Sequence, residues 1–435
     1  MLSRSRSLVL GCPMNGLRTA LTAGVIGLLL AGIAFGDPGA DIPDVSAEVD
    51  RLQSLLKSDD RQVRADAVVA LGKLGDKAAP AARLIVEQFA DAKEHVTVSR
   101  SRSSVATHAG RALRLIGPGA IPAVSAGLDH ENVEIRSRCA RVIGQLGEAP
   151  NDTVIARLIE LLGDADYRVA GNASSTLKRS GDRAVEPLLA VLNAGLKIPP
   201  PAKRWKDGEH PDPDDPLTSA RKQRNYAIGV LAAIDDPRAI EPLLNAFETK
   251  DLLLHRWAAN SLPALKSEAC LEVFSRHDIV MRLLVFSRTD DRRTRQAIAR
   301  TLRHVSKDAR GLLVAKLDDP DRRVRVTLFD MWSWIRDDHR VIPAALKRAA
   351  AEDDNPGELQ EPLAIVERRQ AIQILKNHFR TFSMPEEVLT VLLTRLDDPA
   401  RGVRTTAAFA LADRVQSLWG ADYAAVFAAW ELFSP

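Results

Sequence analysis

The stretch Val63–Gly75, VRADAVVALGKLG, decides the fold, because the chain writes it again and again. Val63 is followed at offsets 4, 7, 8 and 11 by Ala67, Ala70, Leu71 and Leu74, and at offset 1 by Arg64. Ile135, Cys139, Val142, Ile143 and Leu146 repeat the pattern position for position. So do Val105, Ala109, Ala112, Leu113 and Ile116, and Val324, Leu328, Met331, Trp332 and Ile335. Each residue of an α-helix advances about 100° around the axis, so these offsets gather five side chains on one stripe. Gly75, Gly117, Gly147 and Gly181 stand at offset 12, where a left-handed residue stops a helix.

Working outward, ten copies begin at Val63, Val105, Ile135, Val169, Gln223, His255, Thr294, Val324, Glu367 and Val403. Arginine comes next in eight of them: Arg64, Arg136, Arg224, Arg256, Arg295, Arg325, Arg368 and Arg404. Acidic turns precede several copies: Asp59 with Asp60, Asp290 with Asp291, Asp318 with Asp319 and Pro320, and Asp397 with Asp398 and Pro399. Asp suits the cap of a helix, and Pro is tolerated in its first turn. Apolar runs between the copies, such as Ala184 to Leu192 and Val388 to Leu396, supply companion helices. A lone hairpin of this kind cannot bury its stripe, so stability has to come from stacked neighbours. Pro263 is expected to end or kink the helix begun at His255.

Composition agrees with a helical array. Hydrophobic residues make up 46% of the 435 and aromatics 5%, which favours close helix packing and almost no strand. The first thirty-six residues stand apart: Arg4, Arg6 and Arg18 precede an uncharged stretch from Thr19 to Phe35, closed by Ala34, Phe35 and Gly36. That pattern reads as an export signal, with an uncleaved membrane anchor as its rival. Of 60 basic and 57 acidic residues the leader holds three arginines and no acid, so the remainder is neutral. A neutral chain lacks the broad basic surface of a nucleic-acid binder, and none is expected as a partner.

The signature Leu317, Asp318, Asp319, Pro320, then Val324 and Arg325, recurs as Leu396, Asp397, Asp398, Pro399, then Val403 and Arg404. It resembles HEAT repeats, and Leu71-Gly72-Lys73-Leu74-Gly75 is most similar to the subclass named after phycobilisome lyases. The resemblance covers about residues 43 to 420. It implies an all-α fold, a right-handed α-solenoid of about ten antiparallel helix pairs, and protein binding or scaffolding for most members. It also implies a structural ladder between repeats, assigned to Arg64, Arg136, Arg325 and Arg404. Bilin chemistry is not implied, since no residue here matches a motif for it.

Two further segments frame the array. Residues 195–219 hold six prolines around Lys203, Arg204, Trp205 and Lys206, and read as a long loop. Residues 421–435, with Tyr423, Phe427, Trp430 and Phe433, read as a capping helix that seals the last open core face.

Local motifs for chemistry are missing. The nine histidines show no close pair at metal-ligand spacing, and phosphate loops and nucleophile elbows are absent, so neither a catalytic residue nor a metal or cofactor is assigned. Sequence leaves open whether Cys139 and Cys270 pair. What rises above scaffold is a charge bias. Opposite the stripe, offsets 2, 5, 6 and 9 hold Arg111, Arg114, Arg141, Lys178, Arg300, Arg303, Arg369 and Lys376, against Asp330 alone. In the HEAT family this helix usually lines the concave side, which makes these eight the candidate contacts for an acidic protein or peptide. Phe329 and Phe409 on the same face are the candidate apolar contacts. The alternatives are a membrane-tethered assembly or maturation factor, and a lyase-like or cofactor-handling protein.

Overall fold

The computed structural model describes residues 45–419 except 93–94, 99–100, 147–149, 200–216, 336–337, 352–362 and 380–383. The leader, Gly147, the centre of the proline-rich segment and the aromatic tail therefore lie outside the described residues. Ten helices carry the ten copies of the template. They are α1 (Arg61–Lys73), α2 (Val105–Ile116), α3 (Val133–Ile143), α4 (Tyr167–Ser180), α5 (Thr218–Ile234), α6 (Leu252–Ser261), α7 (Arg292–Leu302), α8 (Arg322–Trp332), α9 (Leu363–His378) and α10 (Arg401–Trp419). Each follows a companion helix, such as Val45–Leu55 before α1, Val185–Gly195 before α5 and Ile342–Ala349 before α9.

The chain forms two compact units, one of Met1–Leu158 with Asp166–Thr176, the other of Ile159–Ala165 with Leu177–Pro435. Within the first, α1 packs on α2 and α2 on α3. Within the second, α5 to α10 pack each on the next. The architecture is an all-α solenoid, in which the template helices bury most of their stripe positions. In α2, α3 and α8 all five stripe positions are buried. Trp332 and Leu328 are fully enclosed, and burying a side chain of that kind contributes roughly 1.5–3 kcal/mol.

Helix starts and stops follow local chemistry. The carboxylates of Asp60, Asp251, Asp291 and Asp321 accept backbone N–H bonds from the first turns of α1, α6, α7 and α8. At α8 the cap is Asp321 rather than the Asp318–Asp319 pair of the signature; Asp319 instead accepts the N–H of Asp321 at 2.9 Å. Gly75, Gly117 and Gly181 all have positive φ, as the stop position requires. Asp235 holds the same offset in the fifth copy and is the one non-glycine residue with positive φ among the described residues. Its carboxylate accepts the N–H of Lys266 at 2.8 Å, which ties the strained turn to the next repeat. Pro263 ends α6: the helix stops at Ser261 and a 3-10 turn, Leu262–Ala264, follows.

Three features depart from the sequence reading. A short antiparallel hairpin, β1 (His95–Val98) with β2 (Ser101–Ser104), lies beside α1, pairing His95 with Ser104 and Val98 with Ser101. The alternation of His95, Val96, Thr97 and Val98 puts β-branched residues where strand geometry suits them, and Val98 is buried. α5 starts at Thr218, so the proline-rich connection is shorter than residues 195–219. The extra helical turn is held by Ser219 Oγ donating to the carbonyl of Gly163 at 2.9 Å and by Gln223 Nε2 donating to that of Ile159 at 2.9 Å. The companion of α7 is divided, Glu268–Phe274 preceding His277–Phe286. Cys139 and Cys270 are both buried free thiols, and burial pushes the Cys270 thiol up to about 11.

Candidate partner-binding face

A stacked helix has neighbours on both flanks, so its buried arc is wider than the stripe that faces its companion. Offset 5 shows this. Val68, Gly110, Ala140, Ser174, Ile228, Ala299, Phe329 and Ile372 are buried there, with Asn260 exposed and Ala408 half-buried as the exceptions, although the period alone puts this offset opposite the core. Phe329 is fully enclosed and is corrected from candidate contact to core. The exposed edge of the template helices is therefore narrower than offsets 2, 5, 6 and 9, and offsets 6 and 9 carry most of it.

All eight candidate cations fall outside the buried arc. Arg111, Arg114, Arg141, Lys178 and Arg300 are exposed, and Arg303, Arg369 and Lys376 are half-buried. Arg111, Arg114 and Arg141 belong to the first unit; Lys178, Arg300, Arg303, Arg369 and Lys376 belong to the second. In the first unit Arg111 stands near His108, buried on α2, and Asp66, half-buried on α1. Burial, then the Arg111 charge, hold the His108 imidazole below its ordinary value, while burial raises the Asp66 carboxyl. His108 Nε2 has no hydrogen-bond partner among the described residues.

In the second unit cations and aromatic rings alternate. The Arg303 guanidinium lies 5.0 Å from the centroid of the Trp334 ring, and Lys376 Nζ lies 5.9 Å from that of Phe409. Trp334 is 68% exposed and Phe409 37%. Lys376 also pairs with Asp413 at 3.0 Å, and Arg300 donates from Nε to its own helix at Gln296 O, 3.3 Å. The edge of α9 is tied to α8 by Asn377 Nδ2 donating to Ser333 O at 2.6 Å. Asp330, the single acid at the candidate positions, is half-buried; burial raises its carboxyl, opposed by Arg303, Arg300 and Arg292. Trp334 escapes the template because it stands at offset 10, one position short of the stripe. Its signal is the pair Trp332 and Trp334, which one narrow stripe cannot bury together. Tyr226 and Trp257 form another exposed-edge contact that the charge pattern does not reveal, with ring centroids 6.2 Å apart.

The arginines at offset 1 act on the backbone. Arg136 donates to the carbonyls of His130 at 3.0 Å and Glu131 at 2.7 Å, and Arg404 to those of Asp398 at 2.9 Å and Pro399 at 3.0 Å. Arg64 and Arg325 make the same pair of bonds, to Ser58 and Asp59 and to Asp319 and Pro320. These two also reach onward in sequence, Arg64 to Asp91 and Arg325 to Glu367. Arg224 lies buried against Asp251 at 2.7 Å, its stem so close to Gly195 that an added Cβ would stand 2.7 Å from it. Among the described residues no group of three or more His, Cys, Asp or Glu is placed to hold a metal ion. No described helix is long and apolar enough to cross a membrane.

Comparison with known proteins gives the repeat its family. A model for HEAT repeats matches residues 121–196, and one for the PBS lyase HEAT-like repeat matches residues 223–249. The chain thus carries HEAT repeats, one of them of the PBS-lyase type. A crystal structure of Kap121p is 12% identical with a TM-score of 0.42, over 92% of this chain and 49% of that one. The karyopherin Kap121p bound to the extreme C-terminus of the protein phosphatase Cdc14p is 13% identical with a TM-score of 0.45, over 94% and 50%. An engineered protein is 18% identical with a TM-score of 0.34, over 84% and 98%. This chain spans about half the length of the karyopherin chains it matches. A comparison with the curated proteins finds no match.

Proposed function

We propose that this HEAT-repeat chain is an exported, non-enzymatic scaffold that binds an acidic segment of a protein partner along the exposed edges of its template helices. The observation that carries the reading is the placement of all eight candidate cations outside the buried arc, five of them exposed, against a single half-buried acid at those positions. In a chain that is neutral without its leader, that bias concentrates positive potential on the exposed helix edges of each unit and steers acidic partners towards them. Trp334 and Phe409, beside Arg303 and Lys376, add apolar area that a peptide can cover. Export rests on the arginine-led uncharged stretch before Gly36.

The test uses the full chain and a fluorescein-labelled hexaglutamate peptide followed by anisotropy. Replacing Arg111, Arg114 and Arg141 together by Glu is expected to weaken binding by about tenfold or more, since each reversal turns an attraction of ~0.5 kcal/mol into repulsion. The melting temperature is expected to hold. Unchanged affinity in the triple variant contradicts the proposal. The same uncharged stretch supports a second reading, a factor tethered to the membrane by an uncleaved leader. Mass spectrometry of the protein from its native host decides it: a mature N-terminus at Asp37 excludes the tether.

A further inference from the structure

Between α3 and α4, wholly within the first unit, lies an open cleft of about 450 Å³. Its floor is built of small and amide side chains, Ser137, Gly171, Asn172 and Ser175. Asn172 Nδ2 closes the floor by donating to the carbonyl and to Oγ of Ser137, both at 2.9 Å. A Cβ built on Gly171 would meet nothing within 4 Å, so the space above it is open.

The rim is charged, and its charges do not cancel. On α4, Arg168 is committed to Asp166 at 3.0 Å and to Glu134. On α3, Arg138 Nε faces the same Glu134 at 3.6 Å, beyond hydrogen-bond length, and among the described residues it is buried without a hydrogen-bond acceptor. Arg141, one turn further on, is exposed and makes no hydrogen bond or ion pair among the described residues. Three guanidinium groups against two carboxylates leave one positive charge, and it belongs to the two arginines of α3. Tyr167 stands at the mouth, 75% exposed. A buried donor without an acceptor is costly, and a ligand oxygen is the natural way to satisfy it.

We infer that this cleft seats one carboxylate of an acidic peptide, with Arg138 and Arg141 as the anion-binding pair and Tyr167 as the ring against which the adjoining chain lies. The inference rests on the proposed binding of acidic segments and assigns it a specific seat. A guanidinium fork matches a planar carboxylate with two parallel bonds. A single negative charge balances the rim, whereas a phosphate dianion would leave an excess. The template pattern points here only through Arg141, because Arg138 and Tyr167 stand outside the offsets of the candidate face.

The experiment labels the full chain with 3-fluorotyrosine and follows its fluorine spectrum during titration with hexaglutamate. The chain has three tyrosines, and a Tyr167→Phe variant assigns the signal of interest. The Tyr167 signal is expected to shift saturably, with the dissociation constant found by anisotropy. Arg138→Gln and Arg141→Gln are each expected to raise that constant about tenfold, the loss of one charge-assisted contact. Arg141→Gln is expected to leave the fold intact, since that side chain is exposed and makes no hydrogen bond or ion pair among the described residues, and so keeps the test decisive if Arg138→Gln unfolds. Peptide binding with an unmoved Tyr167 signal overturns the cleft and leaves the charged edge standing. Absence of binding overturns both. Inorganic phosphate shifting Tyr167 at lower concentration than the peptide overturns the assignment to a carboxylate.

Discussion

Arg224 and Asp251 show what one position of the template does. Both side chains are almost completely removed from water, and each is the other's counter-charge at 2.7 Å. Breaking such a pair strands a buried charge, so Arg224→Met is expected to cost about 3 kcal/mol, read as a lower midpoint in urea unfolding of the wild type and variant. His108 carries a pH dependence of definite sign. Its folded value lies below the ordinary 6.5, so the folded chain keeps it neutral where the unfolded chain protonates it. The stability it supports is complete above pH 6.5 and is lost as pH falls below that value. Melting temperatures between pH 7.5 and 5.5 are expected to fall more steeply for the wild type than for His108→Gln. Equal slopes would show that His108 takes no part. The sequence marks Arg224 through its place after Gln223, but not Asp251, because the acid belongs to the cap of the next helix, and spacing between copies varies. His108 stays hidden for a similar reason: offset 3 is neither stripe nor opposite face, and only stacking against α1 buries it.

For single helices, starts and stops were the most legible feature, since they depend on residues within one turn. Gly117 has a φ of 73°, so Gly117→Ala is expected to lower stability by roughly 1 kcal/mol through left-handed strain, measurable by thermal unfolding. Asp235→Gly relieves the same strain but gives up the bond to Lys266, and the two changes are expected to offset to within about 1 kcal/mol. What remained illegible came from flanks. The period assigns Phe329 to an open face, yet the adjoining helices of the stack enclose it completely. The β1–β2 hairpin was missed because four residues per strand are too few to outweigh a Ser- and Arg-rich composition. Trp334 and Tyr167, the exposed aromatics that give the charged edges their apolar contact, lie outside the repeating offsets and show themselves only once the helices are stacked.

Across the whole chain, ten copies of one pattern were enough to give the all-α solenoid, because a stripe repeated at that scale has no other way to be buried. Charge placement is legible as a bias; the structure buries offset 5 in eight of the ten copies and leaves the candidate cations exposed or half-buried. Interactions of exposed charges are screened by salt, so hexaglutamate affinity is expected to drop steeply between 50 mM and 500 mM salt, as a salt titration by anisotropy would show. An affinity insensitive to salt would assign binding to apolar contacts at Trp334 and Phe409 instead. The most direct measurement of the central claim is photo-crosslinking of a benzophenone-bearing hexaglutamate peptide to the full chain, with the adducts mapped by mass spectrometry. Adducts on the exposed edges of the template helices, at or next to residues 111–114, 138–141, 300–303 and 376, are the predicted result. Adducts confined to the companion helices, such as 277–286 and 342–349, would contradict it.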